Sequence, residues 1–313
     1  MSKQESPFKL EMEENENVRK MSCNCNVITL CIIAPFTPLR IAPRRSVAAS
    51  FGFPDEFVLE EFVYTVVQKY PEREKRPPLY LLLHSPGGTL SSSYMVARIL
   101  RNNFNKIIGF IPHIAASGAT LIALSCNQLV MGDISRLSGI DPHYDSDGET
   151  VYPLSTVRAF KNLEDILGAK TLDEISYPYQ HLVQSITAEK YDEATHSLKM
   201  VERYATELMQ KAGYEKGEID RIINGLLYNI EAHEEVIPFD KAKELGLKVK
   251  HFSADPHLAE CWKTMKEWLN KYWLKPSPLH FIRYCVPRKT VKAKSKSKKM
   301  KPKSAELKKS GGD

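Results

Sequence analysis

The sequence predicts an α/β fold of repeated β-α-β units, with a parallel sheet and a C-terminal helical region. Three observations carry this expectation. Apolar runs of strand length alternate with amphipathic stretches of helix length between Val27 and Met131. Two of those strands lead into turns of glycine and other small residues, SPGG and AASG. After Pro153 strand-like runs give way to long amphipathic stretches. Alternation of this kind implies parallel strands joined by right-handed crossovers.

Taken in order, 27–33 reads as the first core strand. Its apolar run meets Pro35, Pro38 and Arg40 and is too short to span a bilayer. Residues 54–70 read as a helix with Phe57, Val58, Phe62, Val66 and Val67 as its apolar positions, and PEREKRPP (71–78) as a charged loop. A buried strand, 79–83, then breaks at Pro86-Gly87-Gly88. Helix 89–102 turns Tyr94, Val96, Ile99 and Leu100 inward, and is followed by strand 106–111, helix 117–125 and strand 127–131. Turns at the C-terminal ends of parallel strands converge on one edge, where α/β sheets place their sites.

Beyond Pro153, helical periodicity covers 154–167, 179–211 and 217–229. Asp255-Pro256 opens a further helix, 258–273, with Trp262, Met265, Trp268, Leu269 and Tyr272 at helical spacing. That stripe reads as a packing face; with Lys263, Lys266 and Lys271 beside it, membrane-surface contact is the alternative. The expected organisation is a polar arm (1–26), a main domain (27–255), an amphipathic helical extension (256–287) and a basic disordered tail (288–313).

The net charge of +6 belongs to that tail, where eleven Lys/Arg stand against Glu306 and Asp313. The tail's +9 leaves the first 287 residues at −3, so basicity gives no general case for nucleic-acid binding. Weak attraction of the tail to anionic surfaces is the partner it implies. The polar, acidic start lacks a signal peptide's pattern. Six scattered cysteines suit a reduced, cytoplasmic chain, and Cys23-x-Cys25 lacks a second pair at zinc-like spacing, so no metal or cofactor is expected.

The chemistry concentrates in LHSPGG (83–88) and AASGAT (115–120). Ser117 precedes an apolar helix, and a serine there serves as an N-cap or, beside exposed backbone N–H groups, as an acyl-transfer nucleophile. The SPGG turn supplies such N–H groups and favours the nucleophile. His84 and His113 flank the two motifs, as pocket residues or as structural histidines.

These pieces, with SGIDPH (138–143) and KAKELGLKV (241–249), resemble the ClpP/crotonase superfamily. Within it they are similar to the SppA-like serine proteases and, among these, to the serine dehydrogenase proteinase family. The resemblance runs over about 27–249. It implies a ClpP/crotonase-like fold and a cofactor-independent serine peptidase acting on protein or peptide substrates as a homo-oligomer. Ser117 is then the nucleophile, and the oxyanion donors are an N–H of Gly87 or Gly88 together with that of Gly118. Relatives commonly carry alanine or methionine at the place of Gly118, so a looser helix entry is expected. The general base stays open. ClpP relatives use a histidine, and His143 stands 26 residues after Ser117. SppA relatives use a neutral lysine about fifty residues downstream, where Lys161 and Lys170 lie. The IDPH frame favours lysine and the spacing favours His143, while Asp141 reads as fixing the turn. Two other functions compete: a crotonase-type acyl-CoA enzyme, whose glutamate AASGAT lacks, and a non-catalytic scaffold that kept the fold and lost the base.

Overall fold

The computed structural model describes residues 10–35, 49–146, 149–168, 174, 177, 180–181, 187–275, 277 and 279–287. The main sheet contains β1 (Glu11–Met12), β2 (Ile28–Ile33), β3 (Leu79–His84), β4 (Ile107–Ile111), β5 (Gln128–Met131), β6 (Val249–His251) and β7 (Phe281–Cys285). They lie in the order β1-β7-β2-β3-β4-β5-β6. From β2 to β6 every pairing is parallel, as the β-α-β alternation predicts. β7 returns antiparallel on β2, and β1 runs parallel to β7. Strands β2, β3 and β4 are buried along their whole lengths, which explains their continuous apolar runs.

The helices are α1 (Glu16–Asn24), α2 (Phe53–Lys69), α3 (Leu90–Asn103), α4 (Gly118–Leu124), α5 (Pro153–Leu167), α6 (Ala188–Lys211), α7 (Lys216–Ile223), α8 (Phe239–Glu244) and α9 (Pro256–Trp273). Side chains alternate across a strand, so each face of the sheet has its own core. Leu79, Leu81 and Leu83 join the core beneath α2, α3, α4 and α6. Tyr80 and Leu82 join the opposite core, with α1 and α9. There Trp262, Met265, Trp268, Leu269 and Tyr272 are all buried, so the helical stripe packs on the sheet. Truncating Trp268, which has no exposed surface, to alanine removes about 3–5 kcal/mol of stability. Among the described residues no helix is long and apolar enough to cross a membrane.

Two boundaries differ from expectation. The polar arm of 1–26 contains β1 and α1, held because Glu13 is buried and accepts hydrogen bonds from Trp268 Nε1, Lys271 Nζ and Tyr272 OH. A buried carboxylate is tolerable only when so satisfied, and its donors are more than 250 residues away. The extension of 256–287 is not helical throughout, since its last stretch is a strand inside the main sheet. The tail from Arg288 lies outside the described residues.

Candidate active site

A relay of short pairings assembles the site at the C-terminal ends of the strands. Ser85 bridges to Ala115, the strand Ile114–Ala115 pairs with Arg136–Leu137, and Leu137 bridges to Ile237. Four separate segments are thereby laid side by side: the SPGG turn, the serine run, the IDPH run and a loop carrying His233. The turn itself demands glycine. A Cβ on Gly87 (φ +116°) would lie 2.8 Å from the Ala116 carbonyl and 2.9 Å from Ser117 Cβ. One on Gly88 would fall 2.1 Å from the Phe51 nitrogen.

Ser117 has φ 50° and ψ −119°, a left-handed conformation that L-residues adopt at a cost. Its side chain makes no capping bond to α4, so the ordinary N-cap reading has no support. Its backbone N–H is held by Ser138 Oγ at 2.8 Å, and no hydrogen bond joins its own hydroxyl to a described residue. The Gly87 N–H is occupied by Ser85 Oγ at 3.1 Å. Among the described residues, the N–H groups of Gly88 and Gly118 have no hydrogen-bond acceptor. Gly118 is tightly packed: a Cβ would lie 2.1 Å from Ser93 Oγ. Glycine therefore fits this helix entry because Ser93 occupies the space, which corrects the expectation of a looser one.

A cleft of about 400 Å³ opens beside these groups, lined by Gly87, Gly88, Ser117, Gly118, Asp141, His143 and His233 among others. Within it His233 Nδ1 donates to Asp141 Oδ1 at 2.9 Å. The hydrogen bond to Asp141 raises the His233 pKa above its usual 6.5, against the opposing effect of burial. With Nδ1–H committed to the carboxylate, Nε2 is the acceptor nitrogen, and it has no hydrogen-bond partner among the described residues. An imidazole so held can take a proton from a hydroxyl and return it. The His143 ring stands nearly perpendicular to that of His233, centroids 4.7 Å apart.

His143 is thus in the cleft with Ser117 and the three glycines. Lys161 is exposed on α5 and does not line the cleft, and Lys170 lies outside the described residues. His84 and His113 are not cleft residues either. Arg136 donates to His113 Nε2, His113 Nδ1–H to His84 Nε2, and His84 Nδ1–H to the Ala34 carbonyl. This directional chain keeps both rings neutral, and burial lowers the His84 pKa to about 4. They are structural histidines.

Sequence reading missed His233, 116 residues after Ser117 in the polar stretch EAHEEV, which has no local signature. It also missed a network under the turn. Ser85 Oγ donates to His280 Nε2 at 3.0 Å, and His280 Nδ1 donates to Asp55 Oδ1 at 3.0 Å. All three are buried. Asp55 Oδ2 accepts the Gly52 N–H, and Phe51, whose backbone pairs with the turn, stacks on His280 at 4.3 Å. The network therefore clamps the SPGG turn to the start of α2 and to β7.

The family model for ClpP-like SDH-type serine proteinases matches residues 60–297. Two uncharacterized proteins of Methanocaldococcus jannaschii are relatives. MJ0137 is 27% identical over 216 residues, 68% of each chain; MJ1495 is 27% identical over 173 residues, 55% of this chain and 52% of its own. Among solved structures, a mutant of the membrane-bound stomatin-specific protease 1510-N is similar at 12% identity with a TM-score of 0.40. The match covers 64% of this chain and 74% of that one. A Pseudomonas malonate decarboxylase hetero-tetramer in complex with coenzyme A is similar at 13% identity and a TM-score of 0.31, over 63% of this chain and 84% of that one.

Proposed function

Because the chain belongs to the family of ClpP-like SDH-type serine proteinases, we propose that it hydrolyses peptide bonds through Ser117. The observation that carries this reading is the Asp141–His233 pair, sharing one cleft with a strained, uncapped serine. His233 Nε2 accepts the Ser117 proton as Oγ attacks the peptide carbonyl. The developing oxyanion takes hydrogen bonds from the N–H groups of Gly88 and Gly118. Gly87 serves by close approach, not by donation, since Ser85 holds its N–H. Asp141 fixes the tautomer of His233 and stabilises the imidazolium, which then protonates the leaving amine. Water attacks the acyl-enzyme by the same route in reverse.

His143 supports a second reading of the base, because it lines the same cleft. His233 is preferred since a carboxylate orients its ring. A fluorophosphonate probe tests the whole reading against a non-catalytic scaffold. Labelling at Ser117 that fails in His233→Gln is expected; an intact chain that never labels is a scaffold.

Self-association is part of the proposal. Phe53, Phe57 and Tyr64 are exposed on one face of α2 and offer apolar surface to a second copy. Sedimentation of the full chain as a monomer at micromolar concentration removes this element. Weak binding of the tail to anionic surfaces is checked by salt-sensitive retention on heparin that deletion of 288–313 abolishes.

A further inference from the structure

We propose that Cys25, His257 and Cys261 form a binding site for a zinc-class divalent ion. The site tethers the N-terminal helix α1 to the C-terminal helix α9 and shares no residue with the cleft. Spacing alone gave Cys23-x-Cys25 no second ligand pair, and the fold supplies one from residues more than 230 positions away. His257 and Cys261 stand four apart on α9 and so share a helix face. Cys25, at the C-terminal end of α1, meets them across the α1–α9 contact. One ligand atom from each residue lies within 4.8 Å of the other two.

His257 Nε2 and Cys261 Sγ are 3.8 Å apart. Tetrahedral zinc, with bonds of about 2.0–2.1 Å to nitrogen and 2.3 Å to sulfur, holds such ligands roughly 3.6–3.8 Å from one another. The His–Cys pair therefore already has a ligand separation, and Cys25 closes the set by a side-chain adjustment of about 1 Å. Tyr80 OH lies 3.4 Å from the same nitrogen. His257 is exposed, which gives the ion an entry path, whereas Cys261 is buried.

A divalent ion held by two thiolates and a neutral imidazole is electrically balanced. Both cysteines are free thiols.

The test uses the full chain, reduced, stripped with chelator and dialysed against zinc or cobalt. About one zinc per chain is expected, with a thiolate-to-metal charge-transfer band in the cobalt form. Cys25→Ser and His257→Gln, chosen because neither side chain is fully buried, lose the ion and the band while the apo chain melts unchanged. Cys23→Ser retains both. The proposal is overturned if the reduced chain takes up no zinc, or if uptake survives in the Cys25→Ser/His257→Gln double variant. It is equally overturned if Cys25 and Cys261 are isolated as a disulfide, seen as a loss of two hydrogens, and the reduced thiols then bind no metal.

Discussion

Ser85–His280–Asp55 and Ser117–His233–Asp141 contain the same three residue types on either side of one glycine turn, and they differ in access to solvent. In the first set every link is a closed hydrogen bond of 3.0 Å inside the core. In the second only the carboxylate–imidazole link is closed, and Ser117 and His233 both line the cleft. A serine, histidine and aspartate in line are therefore no sufficient mark of a catalytic site. The closed set leaves no room for a carbonyl carbon and spends its hydrogen-bonding capacity on holding the turn. The open set keeps one acceptor nitrogen and one hydroxyl uncommitted, and catalytic bonds of this kind often tighten only around substrate.

The largest expected effect separates the two serines. Ser117→Ala lowers the turnover of a peptide substrate by about 10⁶-fold and abolishes fluorophosphonate labelling. Ser85→Ala loosens the turn and costs about 10²-fold through misplacement of the Gly88 donor, with labelling at Ser117 slowed but present. Labelling found on Ser85 instead would invert the two roles.

Next come the carboxylates. Asp141→Asn leaves His233 in the wrong tautomer and lowers turnover by about 10⁴-fold with little change in folding. Asp55→Asn acts on stability and leaves the pH profile where it was. His143→Gln, measured beside His233→Gln, decides between the two cleft histidines: near-total loss in the His143 variant alone transfers the role of base to it.

His280→Leu should lower stability by about 1–3 kcal/mol, because Ser85 and Asp55 lose a buried partner. Chemical denaturation measures it. No change in the denaturation midpoint would mean that the closed set does not clamp the turn.

The smallest effect is on pH dependence, and its sign differs for activity and stability. Asp141 raises His233 above the imidazole's usual 6.5. Stability from the charged pair is therefore present in full below about 6.5 and is lost as pH rises through the folded value. Activity needs the neutral ring, so it rises through that same higher midpoint and then levels off. Asp141→Asn should move the midpoint of its residual activity down. A lysine base would instead give a profile still climbing in the alkaline range, with the midpoint unmoved by Asp141→Asn.

The IDPH run was picked out by the family resemblance, while local pattern was enough to read the strands β2 to β5, the glycine turn and the strained serine's neighbourhood. Each depends on a few adjacent residues: apolar runs buried on both faces, or glycines that no side chain can replace. Asp141 was legible as a turn residue but not as the partner of His233. Its carboxylate is aimed by the Ser138–Ile140 backbone, which is anchored to Thr120 and Leu226. Gly118 was read without Ser93, whose hydroxyl lies 2.1 Å from where a Cβ would be.

The sequence by itself determined the strands β2 to β5, the edge on which their turns converge and the serine that stands there. Periodicity and glycine chemistry are local, and burial follows directly from them. Only the tertiary structure decided which histidine faces Asp141, which serine is sealed, and that β7 and Glu13 join the first and last described segments to the main sheet and α9. Those contacts join residues 92 to 259 positions apart, and no periodicity records them. They exist because the strand pairings fix where each loop lands.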